Sequence, residues 1–129
     1  MSDDDTTTPP LLRFHATVLD APDAGELAAF YRRLLGWSIR TEEEGWVTLA
    51  APDGGAGLSF QTESDYVRPV WPAESGDPQM SMHLDIEVAD LDAASAHAVA
   101  AGATVAEYQP QDDVRVHLDP AGHPFCLFL

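Results

Sequence analysis

Cysteine is almost absent from this chain of 129 residues, Cys126 being the only one. That excludes an intrachain disulfide and any zinc cluster built on several thiolates. Lysine is missing altogether: all six basic residues are arginines, set against 22 aspartates and glutamates. The net charge of −16 repels phosphate backbones and anionic lipid surfaces, which argues against nucleic acid and membranes as partners. Its ordinary consequence is solubility. No segment approaches the roughly 20 consecutive apolar residues of a bilayer span. The opening MSDDDTTTPP is acidic and polar where a secretory leader is basic and then apolar. Residues 1–10 are therefore expected to form a disordered acidic tail, and the protein to be cytoplasmic. A phosphate loop, a dinucleotide fingerprint, a GxSxG elbow and HxH or HExxH zinc motifs are missing as well.

What is present suffices for one compact domain. Hydrophobic residues make up 45% of the chain, enough for a core, and the length is too short for two ordinary domains. The pattern along the chain then repeats. Phe14 to Leu19 reads as a strand and Asp23 as a helix cap. Glu26 to Leu35 has helical spacing, with Leu27, Phe30, Tyr31 and Leu34 on one stripe and Gly36 as the stop. About 67 residues later the same order returns: strand Met82 to Val88, cap Asp90, helix Leu91 to Ala101, stop Gly102. In the second helix Leu91, Ala94, Ala98 and Ala101 make the packed stripe. Strand-like runs follow each helix, Trp37 to Arg40 and Thr104 to Tyr108. Each half closes with a hairpin. Trp46 to Ala50 returns as Leu58 to Gln61 through Pro52-Asp53-Gly54-Gly55, and Val114 to Leu118 returns as Phe125 to Leu129 through Asp119-Pro120-Ala121-Gly122.

The reading is an α+β domain over residues 11–129, built from two tandem βαβββ modules that form a curved mixed sheet around a cleft. Module one covers about 12–62, a crossover loop 63–80, and module two about 81–129. The connecting segment, Thr62 to Gln79, is rich in proline and acid and reads as a loop. Its large aromatics, Tyr66 and Trp71, either pin it to the core or line a ligand site, and pinning is the favoured alternative. Arg68 stands between them, available to an anionic ligand through paired hydrogen bonds or to one of many acids nearby.

Three segments carry a resemblance to a known family. ATVLDAPDAGELAAFYRRLLGW from Ala16 to Trp37, HLDIEVADLDA from His83 and DPAGHPFCLF from Asp119 occur in that order. Together they resemble the glyoxalase, bleomycin-resistance and extradiol dioxygenase group, the vicinal oxygen chelate superfamily, from about residue 13 to the C-terminus. The resemblance implies paired βαβββ modules whose curved sheets enclose a cleft. Relatives use that cleft for metal-dependent isomerase, lyase or ring-cleaving chemistry, or to sequester a small toxic molecule.

In metal-using relatives, His or Glu side chains from four strands converge on one divalent ion. The resemblance maps those positions here onto Ala16, onto Ser59 or Gln61 on the same face, onto His83, and onto Cys126. Only His83 matches a family ligand, and His15 falls on the opposite face from Ala16. A histidine-cysteine pair without a carboxylate is a poor zinc site, so no metal cofactor is assigned. His83 is then a hydrogen-bonded polar group of the cleft and Cys126 a small buried hydrophobe.

Strict alternation in His83-Leu84-Asp85-Ile86-Glu87-Val88 sends Leu84, Ile86 and Val88 under the helices and His83, Asp85 and Glu87 to the cleft. Carboxylates beside a histidine either transfer protons, if burial brings their pKa values towards neutrality, or are simply solvated. Glu87 is read as solvated, and Asp85 is left open. His123 is read as shaping its turn and His97 as a solvated helix residue, while His117 lies in a strand.

The favoured function is binding of a small organic molecule in the cleft, at His83, Asp85, Gln61, Ser59, Trp71, Arg68 and Cys126, without the usual metal site. The alternatives are a divalent-metal-dependent lyase, isomerase or dioxygenase using His83, and a purely structural or regulatory module. Strand edges and the amphipathic faces of the two halves make a homodimer the expected assembly, as in many relatives.

Overall fold

The computed structural model describes residues 8–129; of the expected acidic tail, residues 1–7 lie outside the described residues. The first module consists of β1 (Ala16–Ala21), α1 (Ala24–Leu35), β2 (Ser38–Glu43), β3 (Trp46–Ala50) and β4 (Gly57–Thr62). The second repeats the order with β5 (Leu84–Glu87), α2 (Leu91–Ala101), β6 (Thr104–Val105), β7 (Val114–Leu118) and β8 (Pro124–Phe128). Both helices begin at the expected aspartates. The Asp23 carboxylate accepts from the amides of Gly25 and Glu26, and that of Asp90 accepts from Ala93, satisfying donors the helix itself leaves open. Gly36 ends α1 at φ 74°, a left-handed conformation that favours glycine.

The β-structure is divided into two mixed four-stranded sheets, ordered β1-β4-β3-β2 and β5-β8-β7-β6. The first strand of each module runs parallel to the last, Val18 facing Ser59 and Asp85 facing Cys126. β1 and β5 are thus terminal strands of their sheets. Gly57 opens β4 because the chain passes the Leu49 carbonyl so closely that a Cβ there would overlap the oxygen.

One core serves both modules. Phe30 and Tyr31 of α1 pack with Phe60 of the first sheet and Phe125 of the second, with Leu27, Leu49 and Leu127 around them. The helices are also tied directly: Arg33 Nε donates to the Ala101 carbonyl at 2.9 Å, and His97 Nε2 donates to that of Leu34 at 3.0 Å. The expected stripe of α1 is buried, with Leu34 at its margin. In α2, Ser95 joins Ala98 and Ala101 inside, because the buried His117 ring on β7 meets its hydroxyl at 2.9 Å. His117 Nδ1–H donates to the Arg115 carbonyl, leaving Nε2 as the acceptor from Ser95, and burial lowers its pKa.

Several boundaries differ from the sequence expectation, β2 among them, which runs from Ser38 to Glu43 where Trp37 to Arg40 was expected. β1 starts at Ala16, leaving Phe14 exposed before the strand. β5 starts at Leu84, so His83 stands just ahead of it. β6 stops at Val105 where a strand to Tyr108 was expected. There the Gln109 side-chain amide takes over the ladder, donating to the Ala106 and Val116 carbonyls and accepting from the Val116 amide at 2.8–2.9 Å. No helix among the described residues is long and apolar enough to cross a membrane.

Candidate functional site

The face of module two turned away from the helices carries a polar group. Leu84, Ile86 and Val88 pack against the core, so alternation directs His83 and Asp85 to the other side. His83 Nε2 lies 3.0 Å from Asp85 Oδ1, and the parallel register puts Cys126 beside Asp85. The ligand-capable atoms of these three residues all lie within 4.8 Å of one another, the one such trio of His, Cys, Asp or Glu among the described residues. Burial, and then the Asp85 charge and hydrogen bond, push the Cys126 thiol up, so it stays protonated. Glu87 is exposed, as expected for a solvated carboxylate.

The four-strand ligand set of metal-using relatives is not reproduced. Ala16 has no donor atom. Ser59 is buried within the first sheet at 3% exposure, and the Gln61 amide donates to Asp20 Oδ1 at 3.1 Å. The donors therefore come from one module only. These residues do not fit the family's shared metal centre.

A pocket of about 260 Å³ opens at the seam between the modules. Its walls are β1 from Thr17 to Asp20, the crossover loop, the approach to β5 from Pro78 to Leu84, and the β7–β8 turn at His123 and Pro124. Most of the lining is apolar, including Val18, Leu19, Met80 and Met82, with Asp20, Tyr31, Tyr66, His83 and His123 as the hydrogen-bonding side chains that matter most.

The crossover loop is fastened to the β7–β8 turn. Tyr66 donates its hydroxyl to the Ala121 carbonyl at 2.7 Å, and Arg68 Nη1 donates to that of Pro120 at 3.0 Å. Arg68 lies so close over Gly122 that a Cβ there would meet its Cγ at 2.5 Å. Gly122 also has φ 93°, so this position favours glycine for two reasons. Farther along, Trp71 Nε1 reaches the Tyr108 carbonyl at 3.4 Å and the two rings pack together. The loop aromatics do pin the loop, and Tyr66 lines the pocket at the same time.

Beneath this clasp is a buried carboxylate. Asp119, 2% exposed, accepts at Oδ1 from the amides of Ala121 and His123. Its Oδ2 accepts from the Tyr31 hydroxyl and from His123 Nδ1–H, each at 2.8 Å. Every part of the carboxylate is thereby partnered, which burial requires. Burial and then the Asp119 charge hold the Tyr31 hydroxyl well above its ordinary range, and the same causes push Tyr66 up to about 12. Both tyrosines are consequently donors. His123 Nε2 lies 3.3 Å from the Tyr66 oxygen.

Of the seven residues singled out from the sequence, only His83 lines the seam pocket. Asp85 and Cys126 join it in the trio, Ser59 and Gln61 belong to the first sheet, and Arg68 and Trp71 hold the loop. The Tyr31–Asp119–His123–Tyr66 network was not anticipated. The only sequence signal for it is the four-residue spacing of Asp119 and His123 across a tight turn, since Tyr31 stands 88 positions from Asp119.

A family model described as a glyoxalase-like domain matches residues 16–128. No curated protein matches the chain. Among solved structures, a glyoxalase/bleomycin resistance protein/dioxygenase family enzyme from Burkholderia phytofirmans PsJN is similar, with TM-score 0.67 and 18% identity over 90% of this chain and 97% of that one. A glyoxalase-related enzyme from Fulvimarina pelagi gives 0.66 and 19%, over 92% and 88%. A glyoxalase/bleomycin resistance protein from Albidiferax ferrireducens T118 gives 0.60 and 20%, over 89% and 96%. At these identities the likeness speaks for the fold.

Proposed function

Because this chain belongs to the glyoxalase-like domain family of the vicinal oxygen chelate superfamily, matched over residues 16–128, we propose that it binds a small organic molecule in the seam pocket without the family's shared metal. The observation that carries this reading is the pairing of a mostly apolar pocket of about 260 Å³ with a ligand set that lacks its first-module half. Such a pocket, apolar with a few convergent polar groups, is the usual form of a small-molecule site. The protein works in the cytoplasm as a homodimer: the lone cysteine suits a reducing compartment, and β1 and β5 each leave a sheet edge for assembly.

Elemental analysis tests the reading, on protein purified without a tag or added metal and on the His83→Ala variant. Metal well below one equivalent in both is the expected result. Near-stoichiometric zinc, nickel, manganese or iron that disappears in the variant would overturn it and favour a metal-dependent lyase, isomerase or dioxygenase, with His83, Asp85 and Cys126 holding the ion.

A further inference from the structure

We propose that His123 is the pocket's hydrogen-bond acceptor for an uncharged molecule bearing a hydroxyl group on a compact apolar body. The inference rests on the reading of the seam pocket as the ligand site, and adds to it the chemistry of the ligand.

The tautomer follows from the partners. Nδ1 lies 2.8 Å from Asp119 Oδ2, and a carboxylate only accepts, so Nδ1 carries the proton. In a neutral imidazole the other nitrogen, Nε2, is then the lone-pair atom. Its polar neighbour is the Tyr66 hydroxyl at 3.3 Å, but the single proton of that hydroxyl goes to the closer Ala121 carbonyl at 2.7 Å. Two acceptors, Nε2 and the Tyr66 oxygen, therefore face each other without a proton between them. A ligand hydroxyl at this point supplies the missing donor.

The acceptor is also fixed in place before any ligand arrives. The backbone amides of Ala121 and His123 and the Tyr31 hydroxyl hold Asp119, and Asp119 holds the ring. An acceptor immobilised in advance loses little further freedom on binding.

Charge and size restrict what can enter. No arginine is among the described residues lining the pocket, and Arg68 is turned to the Pro120 carbonyl. Asp20 lines the wall of a protein with net charge −16, so an anion meets repulsion and no arginine. The pocket walls are largely apolar, with Val18, Leu19, Met82 and Pro124 among them. A volume of about 260 Å³ lies just below the usual range for drug-sized ligands, and suits a body of about one six-membered ring.

Three probes of one shape test this: cyclohexanol, its methyl ether, and cyclohexanecarboxylate, titrated into ¹⁵N-labelled protein and followed by chemical shift. Cyclohexanol is expected to shift pocket residues and bind about fivefold or more tighter than the ether, with the carboxylate weakest, as the net worth of one hydrogen bond implies. In His123→Asn the new amide reaches only the Nδ1 position, so Asp119 keeps a donor and the preference for the alcohol disappears. His123→Gln places a polar atom near the Nε2 position and restores part of it. Long-range ¹H–¹⁵N spectra of the wild-type imidazole give a direct reading independent of variant folding: cyclohexanol should move the Nε2 resonance and leave Nδ1 in place.

Equal affinity for alcohol and ether, an unmoved Nε2 resonance, or an undiminished preference in folded His123→Asn would overturn the role of His123. The pocket would still stand as the ligand site if its other residues respond. If none of the three probes shifts any residue of the pocket, the seam is not a ligand site and both readings fail.

Discussion

The hydroxyl of Tyr31 on α1 donates to the buried carboxylate of Asp119 in the β7–β8 turn at 2.8 Å, joining residues 88 positions apart. This bond ties the helix of the first module to the closing hairpin of the second. It also sets the carboxylate that orients His123 at the pocket.

Tyr31→Phe removes the hydroxyl and keeps the ring stacked on Phe60. A hydrogen bond to a charged group contributes roughly 1.5–3 kcal/mol, so urea unfolding should show a loss of that order. Asp119→Ala should cost more, because it orphans the donors of Tyr31, Ala121 and His123 together. A Tyr31→Phe protein as stable as wild type would mean that the bond contributes nothing net.

Gly122→Ala should destabilise the fold by about 1–3 kcal/mol, since the new methyl meets Arg68 and the backbone has φ 93°. Adding Arg68→Ala removes the overlap and leaves the backbone strain. The double variant should therefore lose less than the two single losses added together. Simple additivity in a double-mutant cycle would show that Arg68 does not press on this turn.

Stability should fall as the solution is acidified below the ordinary histidine value near 6.5, because burial lowers the pKa of His117 in the folded state. Above that value the ring is neutral folded or unfolded, and the stabilisation is fully present. Below it the unfolded chain takes up the proton first, so stability declines down to the lower, folded pKa. Urea midpoints at about pH 7.5 and about pH 5.5 measure the drop. His117→Gln should flatten it; an equal drop in that variant would place the dependence elsewhere.

Gln109→Ala should cost about 1–2 kcal/mol and speed amide exchange at Val116. The lost side chain supplies two donors and one acceptor to the ladder where β6 has ended. Unchanged exchange at Val116 would show that water replaces the side chain without loss.

Much of the architecture is legible locally. Asp23 and Asp90 announce helix starts, Gly36 and Gly102 their ends, and period-two stretches such as Trp46–Ala50 and Val114–Leu118 are strands with the expected bounds. Turn residues sit where each hairpin reverses. In two places a side chain overrode the local backbone reading. Gln109 replaces backbone pairing and shortens β6, and His117 draws Ser95 of α2 into the interior.

The candidate site was legible only in part. His83 was found by its alternation and by the family pattern, and it lines the pocket. Arg68, open in the sequence to an anionic ligand or to a nearby acid, donates to the Pro120 carbonyl, a bond that no local pattern foretells. His123 was read as a turn residue, and it is one, but its ring is also aimed by Asp119 towards Tyr66.

By itself the sequence determined what depends on neighbours along the chain: where helices and strands begin and end, which face of each is apolar, and that one module is written twice. Only the tertiary structure decided which polar groups meet. Tyr31, Tyr66, Asp119 and His123 come from a helix, a loop and a turn, brought together by burial of a core common to both modules. Hydrophobic burial is set by pattern and is nearly indifferent to exact partners, whereas a hydrogen bond requires a few tenths of an ångström of placement. That placement exists only once the two modules have packed.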